Sequence, residues 1–281
     1  MRLAITGASG FCGAAVARLA AARGHEVLCL GRRPGPVGRH IRWDATHELP
    51  DLAGADAVVH LAAAVGDPRP GRRAEAAFRA VNVDGTARLL RAAGDRPLVW
   101  VSSASVYRPG PYPGPVREDH PADGQRNPYG RTKAAGERLA VAAGAVALRP
   151  RAVYGDGDRH LLPRLGRVVR GGRAWLPGPD VALSLTAVEN LAVACLAALT
   201  WPGGVYNIAD ERPYRRDEVF ARALRVPVRR MPAGLARAVA TVSPTLTRYA
   251  VDQLTDGMVL ELTRAREQGY RPARTLADYL V

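Results

Sequence analysis

Tyr129 and Lys133 stand four residues apart in the run Asn127-Pro128-Tyr129-Gly130-Arg131-Thr132-Lys133. On a helix, residues i and i+4 share a face, so this spacing turns a phenol and an ammonium toward one cleft. A phenol at its ordinary pKa of about 10 is a poor acid-base catalyst at neutral pH, and a nearby cation favours the phenolate. The pair therefore carries the chemistry of proton transfer. Among the 40 basic residues Lys133 is the only lysine. Everywhere else this chain uses arginine, and here a compact ammonium differs most from a guanidinium fork. The competing reading is an ordinary tyrosine and lysine on an amphipathic helix, since such spacings also arise by chance.

A second group of residues has the chemistry of phosphate binding. Gly7-Ala8-Ser9-Gly10-Phe11-Cys12-Gly13 places glycines at three-residue spacing between an apolar strand pattern and a helical one. The first permits a tight turn, the middle one lets a pyrophosphate approach the backbone, and the last lets helix pack on strand. Backbone N–H groups at the helix start, including those of Ser9, Phe11 and Cys12, would hold the phosphates. At the end of the next strand, about twenty residues on, a site for NAD wants an acidic residue for the ribose hydroxyls. The chain instead reads Leu30-Gly31-Arg32-Arg33. Two guanidinium groups match the 2′-phosphate of NADP, so NADP(H) is favoured over NAD(H). Solvated arginines in an arginine-rich chain are the alternative.

The elements that must position these groups follow from periodicity. Strands are predicted over 3–6, 26–30, 57–61, 98–102 and 146–148, alternating with helices over 11–23, 74–93 and 129–143. That alternation predicts an α/β fold with a parallel sheet. Asn127 can cap the third helix, with Pro128 at its first position. The chain's 281 residues allow one large lobe and a smaller one. Residues 1–150 are expected to bind the nucleotide, with later segments returning to that lobe, and 151–281 mainly to hold substrate. In the second half helices are expected at 188–199, 217–224 and 235–241, and a strand at 205–208. Turn-rich segments at 66–73 and 109–115 follow strand ends, where ligands bind in such sheets.

Composition excludes several classes. The chain is 47% apolar and 23% charged, which rules out general disorder. Its apolar runs are about half the ~18 residues a membrane span needs, and the N-terminus leads straight into the glycine loop, so a cytoplasmic protein is expected. Cys12, Cys29 and Cys195 form no paired motif and read as small buried hydrophobes, with no metal site. The net charge of +14 suits an anionic substrate, an acidic partner or a nucleic acid. No nucleic-acid motif accompanies it, and aromatics are only 6% of the chain.

Taken with His60-Leu61-Ala62-Ala63, Asn82-Val83-Asp84-Gly85-Thr86 and Ser102-Ser103-Ala104-Ser105-Val106-Tyr107, these motifs resemble the extended short-chain dehydrogenases/reductases of the NAD-dependent epimerase/dehydratase superfamily. The resemblance spans nearly the whole chain. It implies a doubly wound Rossmann sheet with a small C-terminal α/β substrate domain. It further implies that Ser103 is the catalytic serine, Tyr129 the acid-base and Lys133 its lysine partner. Asp44 would contact adenine, with Ala45 beside it. Leu61, Ala62, Ala63 and Asn82 would line the cofactor, and Pro150 and Val153 would flank the nicotinamide. Helices 74–93 and 129–143 would pair in a homodimer.

Within that family the segment Leu148-Arg149-Pro150 through Asp158, with Leu161-Leu162-Pro163, Leu185–Leu191 and Gly204–Asp210, resembles the 3β-hydroxysteroid dehydrogenase and β-keto-acid reductase branch. Ala104-Ser105 replaces the Asp-Glu of sugar 4,6-dehydratases. An NADP preference leans toward net ketone reduction, on a substrate that is a carboxylate, a coenzyme A ester or a carrier-bound acyl group. A nucleotide-sugar epimerase remains the alternative, its phosphates held by arginines near Arg164, Arg167 and Arg173; so does a non-catalytic NADPH sensor. Arg108 stands where the family usually has glycine, which is expected to alter the loop over the substrate.

Overall fold

In a computed structural model of the chain, residues 1–68, 71–158, 165–243 and 247–279 are described. Leu161, Leu162, Pro163 and Arg164 from the sequence reading lie outside them. The first half winds through β1 (Arg2–Thr6), α1 (Phe11–Ala22), β2 (Glu26–Gly31), β3 (Arg39–Arg42) and β4 (Ala57–His60). It continues through α2 (Arg72–Arg79), α3 (Thr86–Ala93), β5 (Leu98–Val101), α4 (Pro128–Ala142) and β6 (Val146–Pro150). Apolar β-branched runs such as Ala57-Val58-Val59 are buried on both sheet faces, as a covered parallel sheet requires.

The second half supplies β7 (Val153–Tyr154), β8 (Val169–Arg170), β9 (Arg173–Pro177), β10 (Ala182–Leu183), β11 (Thr186–Ala187), α5 (Val188–Ala197) and β12 (Gly204–Ile208). It ends with β13 (Tyr214–Arg215), α6 (Arg216–Leu224), β14 (Val228–Met231), α7 (Ala233–Val242), α8 (Arg248–Thr255) and α9 (Thr263–Glu267). β12 returns to pair with β6, giving one sheet of seven parallel strands in the order β12-β6-β5-β4-β1-β2-β3. One face is packed by α1 and α5 around Val16, Leu191 and Cys195, the other by α3 and α4 around Leu89, Trp100 and Ala140. This is a Rossmann-type fold. Strand order reverses between β1 and β4, so the ligand crevice lies at their carboxyl ends.

Two differences from the sequence reading have physical causes. The predicted helix over 74–93 is helical from Arg72 to Ala93, but its middle, Ala80–Gly85, widens to a π-helical turn. There Gly85 accommodates Ala45: a Cβ on it would lie 2.9 Å from the Ala45 carbonyl oxygen. β3 was missed because Arg39-His40-Ile41-Arg42 is an exposed edge strand with no apolar alternation to reveal it.

Beyond the sheet, β14, β9 and β8 make a small sheet beside α6, α7 and α8. This unit is tied to the crevice through Val116, which bridges to Leu260, and through Tyr107, Met258 and Leu262. Arg108 grips Asp123 through Nε at 2.6 Å and Nη2 at 2.7 Å, so the residue that replaces a glycine braces the proline-rich loop.

Candidate active site

The glycine loop sits at the switch point. Gly7 has φ +69°, and a Cβ there would meet the Ala62 nitrogen at 2.8 Å. A Cβ on Gly13 would fall 2.2 Å from the Gly7 oxygen. Both positions are therefore closed to other residues. Gly10 differs: it is exposed, and its virtual Cβ meets only the Gly7 oxygen, at 3.2 Å. It is also the N-cap of α1, with no side chain satisfying the first-turn amides. Ser9 is exposed beside it, and Phe11 and Cys12 are half-buried. The cradle fits a dinucleotide pyrophosphate, which would complete those amides. Burial pushes the Cys12 thiol up to about 12, so it stays protonated and packs as a small hydrophobe.

Around this cradle stand the other cofactor candidates. Arg32 and Arg33 are exposed directly after β2. Asp44 accepts hydrogen bonds from the Thr46 hydroxyl (2.6 Å) and amide (2.9 Å), which hold its carboxyl below the usual range, with help from His47 and Arg32. Leu61, Ala62 and Ala63 lead out of β4, where the Thr6 hydroxyl accepts from the Leu61 and Ala62 amides. Asn82 is buried, and its side chain is spent on Ala64 N, Ala64 O and Thr132 Oγ1. These bonds tie it to the loop after β4, along which the sequence reading places the cofactor. Pro150 ends β6, and Val153 lies half-buried in β7. His60 stays neutral, because burial first and Lys133 second pull its pKa down to about 3.

The three catalytic candidates come from adjacent elements. Ser103 lies two residues past β5, extended, and opens a 3₁₀ turn. Its hydroxyl donates to Ser105 Oγ and accepts from the Ser105 amide, both at 3.1 Å. Asn127 caps α4 as expected, accepting from the Gly130 amide at 2.8 Å. Gly130 then allows a close approach: a Cβ on it would lie 2.7 Å from the Ser105 oxygen. The helix turn that carries Tyr129 is thereby pressed onto the serine turn. Tyr129 is half-buried there.

Lys133 runs beneath that turn. Its ammonium donates to the Val101 carbonyl at 2.6 Å and lies 3.6 Å from the centroid of the Trp100 ring. The residue is only 3% exposed. Burial pushes its pKa down to about 7, against the opposing pull of Glu137. Glu137 in turn accepts from Ser102 Oγ at 2.5 Å and forms a two-pronged buried ion pair with Arg149 through Nε and Nη2. The sequence reading passed over Glu137, although it stands at i+4 from Lys133 on the same helix face.

The lysine has a measurable consequence. Unfolded, an ordinary lysine titrates near 10.5; folded, this one titrates near 7. Between those values the unfolded chain binds the extra proton, so stability must rise as pH climbs through this window. Denaturant midpoints measured across it should increase for the wild-type protein, and the Lys133→Met variant should lose that part of the slope. An identical slope in the variant would remove the case for a buried, depressed ammonium.

The fold is a doubly wound sheet with a glycine turn at its switch point, the architecture of a nucleotide-dependent oxidoreductase family. The model of the NAD dependent epimerase/dehydratase family matches residues 3–209, and the chain belongs to that family. It is 34% identical over 260 residues to a 2-alkyl-3-oxoalkanoate reductase of Stenotrophomonas maltophilia (strain K279a), covering 80% of this chain and 75% of that one. It is 29% identical over 328 residues to a 3 beta-hydroxysteroid dehydrogenase/Delta 5→4-isomerase of Mycobacterium tuberculosis (strain CDC 1551 / Oshkosh), covering 99% and 88%. Among solved structures, MoeE5 in complex with UDP-glucose and NAD superposes with a TM-score of 0.78 at 26% identity, covering 100% of this chain and 96% of that one. The chain is an extended short-chain dehydrogenase/reductase, an NAD(P)-dependent enzyme of the branch that its motifs resembled. Among the described residues no helix is long and apolar enough to cross a membrane.

Proposed function

We propose that this protein is an NADP(H)-dependent ketone reductase that works through Ser103, Tyr129 and Lys133. The observation that carries the reading is the contact at Gly130, which brings the turn bearing Tyr129 against the serine turn at the carboxyl end of β5. When bound, the reduced nicotinamide supplies the hydride. Ser103 orients the ketone: it turns its proton from Ser105 Oγ to the carbonyl oxygen. Tyr129 delivers a proton to that oxygen as the carbon is reduced, leaving a phenolate. Lys133 lowers the cost of that phenolate through its positive charge one helical turn away. Its present partners, Val101 and the Trp100 face, fix the ammonium at the floor of the site. Because Tyr129 is half-buried, solvent can return its proton. Arg32 and Arg33 would hold the 2′-phosphate, and Asp44 the adenine side of the cofactor.

The reductase name of the Stenotrophomonas relative supports this reading over sugar epimerisation. The test is cofactor oxidation. Purified protein with NADPH should oxidise the cofactor when given 3-oxoalkanoates, one alcohol forming per NADPH consumed. Inertness toward carbonyl compounds together with conversion of UDP-glucose to its 4-epimer would overturn the proposal.

A further inference from the structure

Glu137 and Arg149 form a buried ion pair that the mechanism above leaves unused. Both residues are 4% exposed. Arg149 donates through Nε at 2.9 Å to one Glu137 oxygen and through Nη2 at 2.5 Å to the other, and Ser102 Oγ adds a third hydrogen bond at 2.5 Å. The guanidinium is itself held in place. Its Nη1 donates to the Glu118 oxygen at 3.0 Å, and its carbon lies 4.5 Å from the centroid of the Tyr107 ring, which closes the serine turn. A guanidinium fork matches both oxygens of one carboxylate, which the point charge of an ammonium does not. The pair is therefore closed, and its two charges cancel.

Strand register brings this pair beside Lys133. Val101 of β5 pairs with Leu148 of β6. At that point and one step beyond it, the Val101 carbonyl takes the Lys133 ammonium, Ser102 takes Glu137, and Arg149 follows Leu148. Lys133 and Glu137 lie one turn apart on α4 over these strand ends. Among the described residues no ion pair joins Lys133 to a carboxylate; it holds the Val101 carbonyl and the Trp100 ring face. The other titratable groups around it are Tyr129, one turn earlier on the same helix face, and the neutral His60 of β4. A buried cation without a carboxylate acts strongly on any anion that forms beside it, because little solvent screens its field. Without Arg149, Glu137 would be an unpaired buried carboxylate one turn from a flexible ammonium, and the two would close on each other.

We infer that Arg149 and Glu137 are positioning residues for the proton transfer: by closing on each other they keep Glu137 off Lys133, so that the ammonium acts on the Tyr129 phenolate. This rests on the ketone-reductase reading and adds two residues that work through Lys133. Glu137 has a second part in the arrangement. Its carboxylate still draws on the ammonium from a distance, against the cost of burial, and helps to keep the lysine charged.

The chain's single lysine makes the test direct. Protein grown on ζ-¹⁵N-lysine carries one labelled side chain, whose titration in the cofactor-free enzyme reads Lys133 alone. Arg149→Met leaves the carboxylate uncompensated, and the Lys133 midpoint should rise by about one pH unit or more. Glu137→Gln leaves the guanidinium uncompensated, and the midpoint should fall by a similar amount. The double variant Glu137→Gln/Arg149→Met removes both charges, and the midpoint should return to within about half a unit of wild type. With NADPH and a 3-oxoalkanoate, the limb of the kcat profile that the coupled Tyr129 and Lys133 set should move in the same directions. A merely structural brace would move none of these values. Folded single variants with the wild-type midpoint, shifts of one sign in both, or a double variant that keeps either shift overturns the inference. Should a single variant fail to fold, wild type and double variant decide, since replacing both members of a buried pair is often tolerated. Matching midpoints near 7 then uphold the inference, and a wild-type midpoint near the ordinary 10.5 or a displaced double variant overturns it. Midpoints that move as expected in a protein inert toward ketones would sink the reductase reading and leave the arrangement around Lys133 standing. Ketone reduction with a profile that ignores these shifts would do the reverse.

Discussion

Tyr129→Phe is expected to lower kcat by about 10²- to 10⁴-fold, the usual worth of a positioned proton donor, while leaving NADPH affinity within about twofold. The substitution removes one oxygen from a half-buried side chain and leaves the Asn127 cap, the Gly130 contact and the Lys133 ammonium in place. The fold should therefore survive, and the loss should appear in kcat with little change in KM, since the phenol acts as the carbonyl becomes an alcohol. Stopped-flow single turnovers, with NADPH binding followed separately by fluorescence, measure both quantities. Unchanged turnover with intact cofactor binding would transfer the proton to another group, and Tyr249 through Ser105 would be the first to examine.

The second large effect concerns the choice between cofactors. The Arg32→Ala/Arg33→Ala double variant should bind NADPH about 100-fold more weakly and NADH within about threefold of wild type. Each charge-assisted contact to a phosphate contributes about 1.5–3 kcal/mol. Both arginines are exposed, so the lower end of that range applies, about tenfold per residue. NADH lacks the 2′-phosphate and should barely register the change. Raising the salt concentration should shrink the wild-type preference in the same direction, since exposed pairs are screened. Equal loss for both cofactors would mean that the arginines support the loop after β2 and do not read the phosphate.

Asp44 shows how far a local motif can be read ahead of structure. The aspartate in Trp43-Asp44-Ala45 was singled out only through the family resemblance, and the hydrogen bonds it accepts from Thr46 were not foreseen. Gly7, Gly10 and Gly13 were legible together because the spacing of a glycine turn is local, and the structure closes Gly7 against Ala62 and Gly13 against the Gly7 oxygen while leaving Gly10 exposed. Gly130 and Gly136 were equally forced, by the Ser105 oxygen and the Asn82 oxygen. They went unread because nothing in their spacing names a partner distant in the chain.

What the sequence determined by itself is the local chemistry. It set the start of α4 through an asparagine cap and a proline, spaced phenol and amine one helical turn apart, and placed a glycine turn between a strand and a helix. Those features depend on neighbours within a few residues, so a linear reading captures them. Tertiary structure decided the rest: that β12 returns to the edge of the sheet beside β6, that Lys133 is buried on Val101 with its charge weakened, and that the Asn82 side chain binds Ala64 and Thr132. Burial and hydrogen-bond satisfaction are properties of surroundings assembled from distant segments. No spacing rule along the chain can count them.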